Sequence, residues 1–298
     1  MISRVVFFNV FQNGDVHSNK EFVRQFIQEL DRNGIESCYT TNVPAKSVNL
    51  PVRHAYMGEE FPWLNNNAPS HIDGDTLYIN TWVGHYITME THNFAAQIPM
   101  WTSLSELLRS ATDGVVDVKI YDDLLKYVSV IDDTETYNLN IPDGAKVLIC
   151  NNQAMSGQAH NGDWSSAINA LALEFPSVKF ICTRKFNHQY ANILFTDDVT
   201  GRLEGQSDLP EIAFFSEYCD MIVTNSSGPG TFAMTRNNFI NKDMSIIAFV
   251  IGPGNTFWNG IPGVNADVSW HPVFDDASVL NIVRDKVNEK ICSNSGRL

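Results

Sequence analysis

At 298 residues the chain is too long for one ordinary core and is sized for two domains of about 150. Hydrophobic residues make up 44% and charged residues 18%, a globular balance, and the formal net charge of −14 disfavours nucleic acid or an anionic membrane surface as partner. Five scattered cysteines without a CxxC pair argue for a reducing compartment. No apolar run reaches membrane-spanning length and MISRVVFF leads straight into a strand, so a cytoplasmic protein without an integral membrane segment is expected.

Residues 4–11 (RVVFFNVF) are β-branched and aromatic, a buried strand. The Asn-Gly pair within 12–15 marks a turn, and Ser18 with Glu21 forms an S-x-x-E box that predicts a helix start. Phe22, Phe26 and Leu30, with Val23 and Ile27, keep helical spacing up to Gly34. Asp15 then falls at the carboxyl end of the first strand, where open α/β sheets bind ligands. Two readings of it stand side by side: a carboxylate that completes the turn or caps the helix, or a base that takes a proton from an attacking hydroxyl. His17 would assist or replace it, or be an ordinary residue of the first turn.

Residues 36–70 are irregular and are expected to form a loop-rich acceptor wall; 75–82 (DTLYINTW) is the next strand. Trp82, His85, Glu90 and His92 follow its end. Aromatic and polar groups of this kind suit a sugar ring, although the same histidines also read as plain loop residues. Their spacing does not suit zinc, and no metal site is expected. Residues 103–110 (SLSELLRS) predict a short helix boxed by Ser103 and Glu106, and 122–130 is helical or mixed. The polar, turn-rich run 132–144 places a domain boundary near residue 140.

The second half opens with a strand at 146–150 (KVLIC), a small-residue loop over 151–163 and a helix over 164–175 stopped by Pro176. The strand 178–182 (VKFIC) runs into Arg184 and Lys185. Adjacent cations in so acidic a chain are candidates to neutralise a diphosphate, or else a solvated pair. A short strand at 193–195 and a helix at 208–218 lead to 220–236 (DMIVTNSSGPGTFAMTR). There a buried strand passes through Asn225, Ser226, Ser227 and Gly228 into a helix expected from Thr231. Free amides and the dipole at a helix start favour an anion, and glycines let a ligand approach the backbone; the plain alternative is an ordinary capped turn. A buried strand at 245–251 ends in Gly-Pro-Gly, and an amphipathic helix spans 276–291. No D-x-D stands at the end of a predicted strand, and Asp197-Asp198 and Asp275-Asp276 read as solvated loop acids.

The recurring strand–loop–helix order predicts an α/β protein of two Rossmann-like doubly wound domains, 1–140 and 141–298, facing across a cleft. The last helix is expected to pack back on the first domain.

At this point the residues resemble a family. The order of a helix, then CDMIVTNSSGPGTFAMT, then SIIAFVIGP is similar to the donor-binding segment of GT-B-fold glycosyltransferases, nearest to the heptosyltransferase type. Gln12-Asn13-Gly14-Asp15-Val16 resembles that family's G-D turn, whose Asp is taken as catalytic base. Ser226 stands where the family carries an acidic residue, and the loop after Cys150 offers His160 in place of a lysine, which implies a different donor sugar. The resemblance implies a hexosyl- or heptosyltransferase with an N-terminal acceptor domain and a C-terminal nucleotide-sugar domain. It would be metal-independent and inverting, with a nucleoside-diphosphate sugar as donor, a glycan or other hydroxyl as acceptor, and no cofactor. Asp15 and His17 would serve catalysis. Arg184, Lys185, Asn225, Ser226, Ser227, Gly228 and Thr231 would bind the donor, and Trp82 and His85 the acceptor. A sugar-nucleotide 2-epimerase and a non-catalytic nucleotide or sugar-binding module on the same fold are the alternatives.

Overall fold

A computed structural model describes residues 2–43, 48–56, 68–86, 93–131, 138–152, 162–201, 209–225, 227–250, 257–258, 260–272 and 275–292. The chain divides into two compact units, Met1–Ser129 with Phe257–Pro262, and Val130–Thr256 with Gly263–Leu298. The division precedes residue 140 because Tyr127 and Val128 are buried in the first core, while Ile131 already packs against Leu209, Ala213 and Phe232 of the second.

In the first unit, β1 (Arg4–Asn9), β2 (Glu36–Thr41), β3 (Arg53–Tyr56), β4 (Ser70–Asp73) and β5 (Thr76–Asn80) form one sheet in the order β3-β2-β1-β5-β4. Its pairs are parallel except the β4–β5 hairpin. That hairpin turns at Gly74, whose φ of +59° suits a residue without Cβ. The stretch expected to be loop therefore supplies β2 and β3. Cys38, Tyr39, Thr40 and Thr41 look polar, but they are buried strand formers held beside β1.

Helix α1 (Asn13–Arg32) buries Phe22, Val23, Phe26, Ile27 and Leu30. It begins five residues before Ser18, since the first positions of a helix need no i−4 acceptor and so tolerate Asn-Gly. Ser18 Oγ instead donates back to the Asp15 carbonyl at 3.1 Å. Helix α2 (Gln97–Ala111) likewise starts well before Ser103, with Pro99 in its first turn where a missing N–H costs little. Between the helices Phe22 stacks on Tyr127 at 3.9 Å and on Trp101 at 5.3 Å, and Phe26 meets Trp101 edge-on at 5.2 Å. Phe257 and Trp258 join this core: the Phe94 N–H donates to the Phe257 carbonyl at 2.5 Å, and Phe94 stacks on Trp258 at 4.9 Å.

In the second unit, β6 (Lys146–Cys150), β7 (Lys179–Cys182), β8 (Ile193–Phe195), β9 (Met221–Asn225), β10 (Ser245–Phe249) and β11 (Asp267–His271) form a sheet in the order β11-β10-β9-β6-β7-β8. All its recorded pairs are parallel. The helices are α3 (Ser165–Glu174), α4 (Thr196–Thr200), α5 (Leu209–Ser216), α6 (Gly228–Ala233), α7 (Arg236–Ile240) and α8 (Asp276–Val287). Ile168, Leu171 and Ala172 of α3 and Val279, Val283 and Val287 of α8 close over Val147, Ile149, Val223, Ile247 and Phe249. Each large side chain buried this way is worth about 1.5–3 kcal/mol. The closing helix thus seals the core of the second unit, and residues 257–262 belong to the first.

In both sheets the chain winds outward one way and then reverses, between β1 and β5 in the first and between β6 and β9 in the second. In open sheets of this kind the usual ligand position is at the carboxyl ends of the strands beside such a reversal.

Candidate functional site

At the first reversal a polar network spans the two strand ends. Asn9 Nδ2 donates to Thr81 Oγ1 at 3.2 Å, and the Thr81 N–H donates to the Phe8 carbonyl at 2.9 Å. Thr81 Oγ1 gives its own proton to that carbonyl at 3.2 Å, so in the 2.9 Å contact with Tyr39 the phenol is the donor. Asn9, Thr81 and Tyr39 are buried. Each strand ends in an Asn-x-aromatic turn: Asn9 Oδ1 accepts the Phe11 N–H and Asn80 Oδ1 accepts the Trp82 N–H, both at 2.9 Å. The two aromatics so aimed stack on each other at 4.1 Å. The Trp82 ring leaves no room for a Cβ at Gly84. Sequence reasoning passed over Asn9, Tyr39, Asn80 and Thr81, although an Asn two residues before an aromatic at each strand end was a visible signal.

Asp15 stands beside this network in the first turn of α1. Burial raises its carboxyl above the ordinary range, partly offset by the backbone N–H groups of Gln12 and of Asp15 itself. The carboxylate thus makes the reciprocal half of a helix cap while keeping increased proton affinity. Tyr39 is pushed up mainly by burial and further by the charge of Asp15, so it stays a neutral phenol. His17 is not brought to Asp15. Two residues on a helix differ by about 200°, and such side chains do not face each other. His17 is buried, and its ring is held well below its ordinary pKa by burial and by Lys20. The backbone of His85 lies in the 3-10 turn Val83–His85; its side chain, with Glu90 and His92, lies outside the described residues.

At the second reversal, Asn225 Nδ2 donates to the Asn152 carbonyl at 3.0 Å, tying the end of β9 to the residues after β6. Asn225 is buried, and its Oδ1 has no hydrogen-bond partner among the described residues. Asn151 pairs like a strand with Arg184, accepting its N–H at 2.9 Å and donating to its carbonyl at 3.1 Å. These two asparagines, which read only as the start of a loop, join the ends of β7, β6 and β9. Cys150 beside them is pushed up to about 12 by burial and is an inert thiol.

Helix α6 begins at Gly228, three residues before the expected start at Thr231, because Pro229 presets the first turn and Ser227 caps it. Ser227 Oγ accepts the Gly230 N–H at 3.4 Å, the Thr231 N–H donates to the Ser227 carbonyl at 2.9 Å, and the Ser227 N–H donates to the Asn225 carbonyl at 2.7 Å. The amides of Ser227, Gly230 and Thr231 are therefore committed within the turn. Among the described residues of this turn the Gly228 N–H is left, together with the hydroxyls of Ser227 and Thr231. Ser226 lies outside the described residues.

Arg184 and Lys185 follow β7, two strands from β9, a separation of roughly 10 Å at about 4.8 Å per strand. Arg184 is exposed, and Lys185 pairs with Asp197 at 3.0 Å. The acids read as solvated have structural roles. Asp198 accepts the Phe195 N–H at 3.0 Å, Asp275 caps α8 through the Ser278 N–H at 2.8 Å, and Asp276 accepts the Ala167 N–H at 3.1 Å. Among the described residues no group of three or more His, Cys, Asp or Glu could hold a metal ion, and no helix is long and apolar enough to cross a membrane.

No protein-family model matches the sequence, and neither does any curated sequence. Solved structures do match. Escherichia coli heptosyltransferase WaaC with ADP is 12% identical over 96% of this chain and 99% of its own, with a TM-score of 0.52. E. coli ADP-heptose lps heptosyltransferase II is 11% identical over 98% and 99%, with a TM-score of 0.50. The iron-containing dodecameric glycosyltransferase TibC from enterotoxigenic E. coli H10407 is 11% identical over 97% of this chain and 76% of its own, also with a TM-score of 0.50. With its two mostly parallel, doubly wound units, the chain shares the Rossmann-like fold of these GT-B glycosyltransferases.

Proposed function

We propose that the chain is a glycosyltransferase that moves a sugar from a nucleoside-diphosphate sugar to an acceptor hydroxyl, without a metal ion and with inversion at the anomeric carbon. The observation that carries this reading is Asp15: a partly buried carboxylate of raised proton affinity at the carboxyl end of β1, beside the chain reversal of its sheet. A base of this kind takes the acceptor proton as the hydroxyl oxygen attacks, and its efficiency grows as its pKa approaches the working pH. The Phe11–Trp82 stack offers an aromatic surface to the acceptor. In the second unit Asn225, Ser227, Gly228 and Thr231 take the donor, and Arg184 lies further along the strand ends to meet the leaving diphosphate. No role is assigned to His17 or Lys185.

The test is thermal shift with ADP, UDP, GDP and CMP, followed by turnover of the matching sugar nucleotide with and without EDTA. One nucleotide is expected to stabilise the protein. Asp15→Asn should keep that stabilisation and lower turnover by ~10²–10⁴, with EDTA making no difference. Wild-type turnover in Asp15→Asn, or no shift with any nucleotide, would sink the reading.

A further inference from the structure

Between α3 and the loop that follows β7, the second unit has an open cavity of about 740 Å³ lined by Asn169, Phe186, Asn187, His188, Gln189 and Tyr190. That volume is in the range of small-molecule sites, roughly 300–1,000 Å³. The loop joins β7 to the edge strand β8, so the cavity lies on the far side of β7 from the β6–β9 reversal. Among the described residues its lining holds no carboxylate, lysine or arginine, in a chain of net charge −14.

The rings in this lining are braced. Phe186 meets Phe195 at 5.8 Å and 88°, and His188 meets Phe195 at 5.4 Å and 69°. Phe186 and Tyr190 also lean on the buried core, so their faces are fixed before a ligand arrives. His188 Nδ1 lies 3.1 Å from the Tyr190 carbonyl. A carbonyl can only accept, so Nδ1 carries a proton and donates to it, which fixes the ring. Asn169 Nδ2 donates to the Ser165 carbonyl at 2.8 Å, which fixes that amide as well. The side chains of Asn187 and Gln189 are exposed, and no hydrogen bond ties them or the Tyr190 hydroxyl among the described residues.

We infer that this cavity is a binding site for an uncharged sugar ring. Fixed aromatic faces take the C–H face of a pyranose, and amides, which both donate and accept, match vicinal hydroxyls. A lining without lysine or arginine among the described residues selects against phosphate or carboxylate ligands, and one without a carboxylate selects against amines. The inference stands on the lining alone and does not need Asp15 to be a base.

The experiment is saturation-transfer NMR on the full chain. The probes are methyl pyranosides and disaccharides of gluco, galacto, manno and N-acetylhexosamine configuration, titrated in excess nucleoside diphosphate. At least one glycoside is expected to bind, and to be weakened about tenfold or more in Asn187→Ala/Gln189→Ala, the scale of losing one or two neutral hydrogen bonds. Both substituted side chains are exposed, and an unshifted melting temperature confirms that the double variant is folded. Tyr190→Phe, which removes only a hydroxyl, gives a second reading in the same direction. Absence of transfer from every probe, or transfer undiminished in the double variant, overturns the site.

Discussion

Burial sets the energy of the Asp15 charge in stability as well as in chemistry. Its carboxyl is raised above the ordinary value mainly by desolvation, so the folded chain holds this proton more tightly than the unfolded chain does. The contribution to stability is fully present below the unfolded value of 3.8 and is lost as pH rises through the folded one. At neutral pH the carboxylate is therefore a burden on the fold. Asp15→Asn should melt higher than wild type at pH 7.5, with the gap closing as pH falls toward 4. Under the proposed role as a base, this burden would be stability given up for function. A variant that melts lower at every pH would instead make the residue a helix cap, since its carboxylate is also met by the Gln12 N–H. The distinction was out of reach in the sequence, where Gly-Asp fits both roles; the neighbouring Tyr39, from another strand, had no local mark at all.

Two elements depend on contacts a single residue can break. A Cβ at Gly230 would fall on the Thr224 hydroxyl and 2.6 Å from the Asn225 carbonyl. Gly230→Ala is therefore expected to destabilise by at least about 1–3 kcal/mol, read as a lowered urea midpoint with little change in slope. Asn192 is buried and its Nδ2 faces the carbonyls of Ala172, Phe175 and Val178 at 3.0, 3.1 and 3.0 Å, tying the end of α3 to the entry of β7. Asn192→Ala strips these acceptors of their donor and should cost about 1–3 kcal/mol; a midpoint unmoved in both variants would contradict the packing described. Elements with continuous apolar runs, such as β6, β9 and β10, were legible because strands buried on both faces must be apolar throughout. The strands β2 and β11 were not: ESCYTT and DVSWH lack that run, and their place comes from pairing with β1 and β10. The starts of α1 and α2 were misread for one reason. Ser18 and Ser103 carry the cap pattern, but side-chain preference at a start is worth only about 1 kcal/mol, less than the burial gained by extending each helix.

For the whole molecule, alternation of strand and helix was enough to give two doubly wound units, while the exchange of residues 257–262 into the first unit follows from Phe94 meeting Phe257 and Trp258, a pairing no local pattern announces. The molecule's charge and its buried and half-buried histidines pull in opposite directions as pH falls. A net charge of −14 implies self-repulsion that acid would relieve, raising stability. Yet carboxylates titrate near 4, so between pH 7.5 and 5.5 most of that charge remains, and surface repulsion is already screened beyond about 8 Å at physiological salt. Over the same interval His17, His54 and His271 are all held below 6.5 by burial, His17 most strongly. The unfolded chain takes up these protons first, so the stability present above 6.5 is lost as pH falls toward the folded values. One such fully buried group gives a slope of up to ~1.4 kcal/mol per pH unit. The histidines should therefore win: the melting temperature is expected to fall from pH 7.5 to 5.5, and His17→Gln should flatten that fall even where it lowers the plateau. A melting temperature that rises over this interval would mean that surface repulsion, not buried imidazole, governs the pH response of the fold.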